Sequence, residues 1–177
     1  VEAAKQGAGD IPVSVKTRVG YNKDELDQWL PALLSAKPAV ITIHARTRKQ
    51  MSKVPADWNY IKRAVEIRDT MKSDTLIVGN GDVIDIKDAR KKAKETGADG
   101  GMLGRAIFGN PWLFDEKKGE VSIEEKLKVL VEHTKLFEEI APHKNFNIMK
   151  KHYKAYVYGW DGAKELLIKL MEAKTAS

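Results

Sequence analysis

There is no cysteine anywhere in the 177 residues, which excludes a disulfide framework and a thiolate metal site. No metal is expected, and a reducing compartment is compatible with the composition. No apolar run approaches the ~18 residues of a membrane span. The opening residues VEAAKQGAGDIPV offer no basic start followed by an apolar stretch, so no secretory signal is read there. A cytoplasmic protein with no membrane partner is the expectation. An initiator Met is also lacking, and the chain opens as though inside a helix. Internal repeats and low-complexity segments are absent too. What is present is a globular composition, 42% hydrophobic and 32% charged. The formal charge of +6 weakly favours a polyanionic partner.

Short β-rich runs alternate with helical periods. Ile11–Val15 reads as a strand. Asp24–Ser35 spaces Leu26, Trp29, Leu30, Leu33 and Leu34 as a helix does. Ala39–Ile43, Leu76–Val78 and Gly100–Leu103 read as further strands. Trp58–Met71 and Ile86–Thr96 read as the helices between them, with Gly97 as a C-terminal stop. This order implies parallel strands joined by right-handed crossovers.

The pattern changes near Phe114, and from Ser122 onward only helical signals remain. Ser122 precedes an acidic first turn and suits an N-cap. Leu127, Leu130, Val131, Thr134 and Phe137 are expected to share one face. Helices are expected from about Asn147 to Tyr158 and from Ala163 to Ala173. The spacing predicts two domains, 1–114 and 115–177.

In parallel α/β folds, chemistry collects at the carboxyl ends of the strands. Those ends read Lys16-Thr17-Arg18, His44-Ala45-Arg46-Thr47-Arg48, Asn80-Gly81-Asp82 and Gly104-Arg105. Four polar, mostly cationic ends in succession point to an anionic ligand. Each also has a plainer reading. Lys16 either snorkels off a strand end or sits as a buried cation against an electron-rich ring. His44 is either a satisfied structural histidine or a ligand contact. Asn80-Gly81-Asp82 is either an ordinary β-turn or a phosphate cradle at a helix N-terminus. Arg105 either pairs with a surface acid or clamps a phosphate. Lys144, Lys150, Lys151, Lys154, His143 and His152 fall in a stretch without acids, interleaved with Tyr153, Tyr156 and Tyr158. That stretch is either a nucleic-acid contact or a solvated face whose tyrosines pack inward.

SVKTRVG, ITIHARTRKQMSKVPADWNYIK, VGNGD and GADGGMLGRAIFGNPWLF together resemble the tRNA-dihydrouridine synthases. MKKHYKAYVYGWDGAKELLIKL is similar to that family's helical domain. The resemblance implies an α/β fold, the second half of a TIM (β/α)8 barrel followed by a small all-helical tRNA-binding domain. It implies flavin mononucleotide (FMN) as cofactor, NADPH as reductant and tRNA uridine as substrate. By matching motif, Lys16 corresponds to a contact of the flavin ring, and His44 to a contact near the ring and phosphate. Asn80, Gly81 and Asp82 correspond to a phosphate and ribitol loop, and Gly104 and Arg105 to a second phosphate loop. Arg46, Arg48, Lys150, Lys151 and Lys154 are the candidate RNA contacts.

Two departures from the family pattern stand out. Lys49-Gln50-Met51-Ser52 follows HARTR where relatives often carry Gly-Tyr. The family's catalytic cysteine, the general acid, has no counterpart in this chain. Only four of a barrel's eight strands are read. The expectation is therefore the carboxyl-terminal half of a synthase, inactive by itself and prone to self-association through its open barrel edges. The alternatives are a non-catalytic RNA-binding remnant, and another FMN barrel of the dihydroorotate or dihydropyrimidine dehydrogenase type. GNPW and the helical tail speak against the latter.

Overall fold

A computed structural model describes residues 1–176. It is an α/β structure with one four-stranded parallel sheet and, among the described residues, seven α-helices. Two compact units divide after Gly104.

In the first unit the chain runs α1 (Glu2–Ala8), β1 (Ser14–Arg18), α2 (Leu26–Ser35), β2 (Val40–His44), α3 (Asn59–Thr70), β3 (Leu76–Asn80), α4 (Ile86–Thr96) and β4 (Gly100–Met102). The strands pair in sequence order, all parallel, as the alternating pattern requires. Ile41, Ile43 and Ile77 leave one sheet face and are fully buried with Leu26, Leu30 and Leu34 of α2 and Ile61, Ala64 and Val65 of α3. Each such side chain contributes about 1.5–3 kcal/mol by leaving water. Asp85 caps α4, its carboxylate accepting from Asp88 N at 2.7 Å. Gly97 ends the helix in the left-handed region at φ 74°.

The strands differ from expectation at their ends. β1 begins three residues later than the Ile11–Val15 reading and runs through Lys16-Thr17-Arg18. Ile11 is 72% exposed, and Pro12 beside it has no N–H to give a ladder. β2 and β3 likewise end on His44 and Asn80, so these polar residues belong to the strands rather than to the loops beyond.

The second unit holds a 3-10 turn (Arg105–Ile107), α5 (Ile123–Ile140), α6 (Asn147–Tyr156) and α7 (Ala163–Glu172). Ser122 caps α5, its hydroxyl accepting from Glu125 N at 3.1 Å. Leu130, Met149, Tyr153, Tyr156, Val157 and Ala163 form its core, with Leu127 and Phe137 against it. Val131, expected on that face, is 48% exposed instead; the stripe is narrower than the five positions suggested. No helix among the described residues is long and apolar enough to cross a membrane.

Candidate functional site

Strand register and alternation decide which side chains share the sheet face opposite the helices. Lys16 aligns with Thr42, Val78 and Gly100, and Arg18 aligns with His44, Asn80 and Met102. That face is not an apolar core: Leu76 on it is 46% exposed, and its carboxyl-terminal row is cationic and polar.

A line of hydrogen bonds crosses this row. Lys16 Nζ donates to Asn80 Oδ1 at 3.0 Å, and Asn80 Nδ2 donates to Met102 O at 2.8 Å. Asn80 thereby fixes a lysine from β1 and ties β3 to β4. Of the two readings of Lys16, a snorkelling side chain or a buried cation, the structure shows an exposed residue whose ammonium is held by Asn80. Partial loss of hydration, then the nearby Arg18, hold that ammonium below its ordinary range.

His44 sits at the end of β2 with its Nε2 3.1 Å from Arg46 Nη1. A guanidinium can only donate, so Nε2 accepts and the ring proton resides on Nδ1. Burial is the main force pushing His44 down to about 4; Arg18, Lys16 and Arg46 add to it, and Asp82 opposes them. Near neutral pH it is an uncharged imidazole with one N–H to offer.

Arg46, a sequence candidate for RNA contact, is instead 3% exposed. Its Nε donates to Val54 O at 2.6 Å, Nη1 serves His44, and Nη2 pairs with Asp82. With Nε, Nη1 and Nη2 each engaged inside the fold, it organises the β2–α3 loop. Asp82 Oδ2 also accepts from Ala56 N at 2.8 Å. The carboxylate read as part of a ribitol loop therefore locks two segments together.

Arg48 stays near the site. Its backbone N donates to Gly20 O at 2.9 Å, and it lines a cleft of about 450 Å³ with Lys16, Arg18, Tyr21, Glu25 and Trp29. Arg18 Nη1 donates to Thr47 O at 3.0 Å and to Met51 O at 3.3 Å. Loss of hydration, then Arg48 and Arg46, lower its pKa. Arg18 was read only as part of a cationic strand end, without a role of its own, although the alternation Val15-Lys16-Thr17-Arg18 puts it on the face of Lys16: every second residue of a strand shares a face.

Two glycines let the loops close. A Cβ on Gly81, at φ 125°, would stand 2.7 Å from Ala56 Cβ. A Cβ on Gly79 would stand 2.3 Å from Trp58 Cζ3. Trp58 Nε1 also donates to Gly81 O at 2.9 Å. The indole thus props the Asn80-Gly81-Asp82 turn from behind, a role the ADW motif signals only in hindsight.

The structure brings together Lys16, His44, Asn80 and Asp82, with Arg46 supporting His44 and Asp82. Gly104 follows β4 by two residues and ends the first unit, and Arg105 opens the 3-10 turn of the second. Lys150, Lys151 and Lys154 lie on α6, with Lys151 and Lys154 exposed and Lys150 part-buried. Tyr153 and Tyr156 of the same helix face the core, while Tyr158 is exposed.

Comparison with known proteins agrees with these features. The family model described as dihydrouridine synthase matches residues 1–177. The chain is 40% identical to the probable tRNA-dihydrouridine synthase 2 of Bacillus subtilis (strain 168), over 99% of this chain and 54% of that protein. It is 39% identical to a probable tRNA-dihydrouridine synthase of Staphylococcus aureus (strain MRSA252), with the same coverage. The chain spans about half the length of these relatives. A match over its whole length, with the motifs lying together at the strand ends, places the chain in the dihydrouridine synthase family.

Proposed function

We propose that this chain forms the second half of a flavin-binding barrel, followed by an RNA-binding helical domain, in a cytoplasmic enzyme that reduces uridines of tRNA to 5,6-dihydrouridine. The observation that carries the reading is the Lys16–Asn80–Met102 line of hydrogen bonds beside an uncharged His44. It lies at the carboxyl end of four parallel strands, half the number a closed (β/α)8 barrel takes. The names of the relatives supply the reaction.

The donor set suits FMN. The Lys16 ammonium and the His44 Nδ1–H are both donors, matched to an electron-rich ring edge. Backbone N–H groups at Asn80-Gly81-Asp82, preceding α4, suit its phosphate, with Gly104 beyond β4 of the same unit. The Asp82 carboxylate, held by Arg46 and Ala56 N through Oδ2, fixes the turn and remains the proposed ribitol-side contact. When bound, the flavin supplies hydride chemistry, with NADPH as the source of reducing equivalents.

The chain's own residues set the surroundings of that chemistry. Asn80 orients Lys16, whose positive charge stabilises negative charge developing on a neighbouring ring. Arg46 keeps the His44 proton on Nδ1. Arg48, Lys150, Lys151 and Lys154 are the proposed contacts to RNA phosphates. The acid that protonates the uracil ring is assigned to a cysteine outside these 177 residues.

Purification of the full-length protein tests the reading. It should carry one FMN, released on denaturation, and Lys16→Ala should weaken reconstitution by about tenfold, the scale of one charge-assisted hydrogen bond. A colourless full-length protein that takes up no FMN would sink the proposal.

A further inference from the structure

We propose that the second unit holds a pocket for one unstacked nucleobase of the bound RNA, an inference that rests on the tRNA assignment above. The pocket exists because of Gly109. At φ 71° its Cα is pressed so close to α6 that a Cβ would fall 1.9 Å from Ala155 O. This seats the 105–112 segment against α6 and swings Phe108 over His152, ring centroids 5.2 Å apart and nearly perpendicular at 77°.

A cavity of about 520 Å³ opens between that segment, α5 and α6. Phe108, Trp112, His133, His152 and Tyr156 supply its aromatic walls. His133 stands 5.2 Å from His152, and its Nδ1 lies 3.3 Å from the Tyr156 hydroxyl. Burial lowers the pKa of both imidazoles; His133 and Lys151 add to the effect at His152. That direction favours the neutral imidazole over the charged one at both positions. Phe108 is left 45% exposed.

The lining chooses the ligand. No lysine or arginine lines the cavity and Glu132 does, so a phosphate is disfavoured inside it. A nucleobase is flat, apolar on its faces and polar at its edge, which suits aromatic walls with two imidazoles and one carboxylate among them. The charge outside points the same way. Residues 141–160 contain no acid, and α6, which gives His152 and Tyr156 to the pocket, also carries Lys150, Lys151 and Lys154. Beside the pocket Lys151, adjacent to His152 and near enough to act on its charge, offers a cation to the phosphate next to a pocketed base, a match that a neutral apolar protein segment would leave unused.

The test is tRNA binding by the full-length protein, using an in vitro tRNA transcript and variants checked for unchanged melting temperature. Phe108→Ala and His152→Ala should each weaken binding by about tenfold, the scale of one lost stacking contact. The slope of log affinity against log salt should not change, because no phosphate contact is removed. Phe108→Tyr should bind within about twofold of wild type, and Phe108→Leu, apolar but not stacking, should match the Ala variant. Wild-type binding with both Ala variants at full affinity would overturn the pocket and leave the tRNA reading standing. So would a Leu variant as tight as wild type. A wild-type protein that binds no tRNA would overturn both.

Discussion

Arg46 and Asp82, thirty-six residues apart, are paired across the ends of β2 and β3, with the arginine 3% exposed and the aspartate 35%. The pair joins the HARTR segment to the turn after β3, and Arg46 reaches His44 from the same guanidinium. Asp82→Asn leaves a nearly buried cation without its counter-charge. The expected cost is about 1–3 kcal/mol of stability, read as a lower urea midpoint in the full-length protein. Arg46→Lys should cost a similar amount, since an ammonium cannot reach Val54 O, His44 and Asp82 at once.

Burial of His44, with Arg18, Lys16 and Arg46 adding to it, also sets a pH dependence. His44 is pushed down to about 4 in the folded chain from 6.5. Above pH 6.5 the group is neutral in both folded and unfolded states and contributes no slope. Between about 6.5 and 4 the unfolded state binds a proton that the native state refuses, so stability falls as pH falls. Below about 4 the loss from this group is complete. Urea titrations at pH 7.5 and 4.5 should show a smaller acid-induced drop for His44→Gln than for wild type.

Behind the same turn, Gly79 faces the Trp58 ring. Gly79→Ala brings a methyl to 2.3 Å from Cζ3, so the indole must move and its bond to Gly81 O is strained. Overpacking of this kind costs about 1–3 kcal/mol, and the full-length variant should melt earlier. FMN affinity should fall with it, because the displaced indole no longer holds the 80–82 turn. Trp58→Phe, which keeps the ring and removes the N–H donor, should lose less.

Much of this was legible in the chain itself. The alternation of short β-rich runs with helical periods located all four strands and six of the helices, because each element has one apolar side and the period shows it. Ser122 and Gly97 sit where capping chemistry puts them. What stayed hidden was the depth of the strands. Lys16, Arg18, His44 and Asn80 are strand residues on a polar face, and polar residues at the end of an apolar run read as the loop beyond. Arg46 was misplaced for a related reason: a cation between two other cationic positions looks like surface until Asp82, distant in sequence, is seen to neutralise it. No local signal foretold the approach of Gly109 to Ala155, which depends on how α6 packs.

On α6 the proposed RNA contacts make a separate prediction. Replacing Lys150, Lys151 and Lys154 together with Ala should flatten the slope of log tRNA affinity against log salt by up to about 2–3 units, near 0.7–0.9 per lost phosphate contact. Filter binding across a salt series measures it. An unchanged slope would assign the three lysines to an ordinary solvated face.

The 177-residue chain taken alone should self-associate. β1 and β4 are the edges of its sheet, and unpaired parallel edges template pairing with another copy. Leu76, exposed on the sheet face that bears Lys16, adds an apolar driving force. Light scattering after size exclusion should find dimers or larger species, and a monodisperse monomer would contradict the half-barrel reading.

The most direct measurement is the dihydrouridine content of tRNA after incubation with the full-length protein, FMN and NADPH, read by mass spectrometry of the digested nucleosides. The wild-type protein should add two mass units to specific uridines. Lys16→Ala should reduce the yield at limiting FMN, and excess FMN should restore part of it. Full-length protein loaded with FMN and supplied with NADPH that leaves every uridine of tRNA unreduced would contradict the assignment of this chain to tRNA reduction.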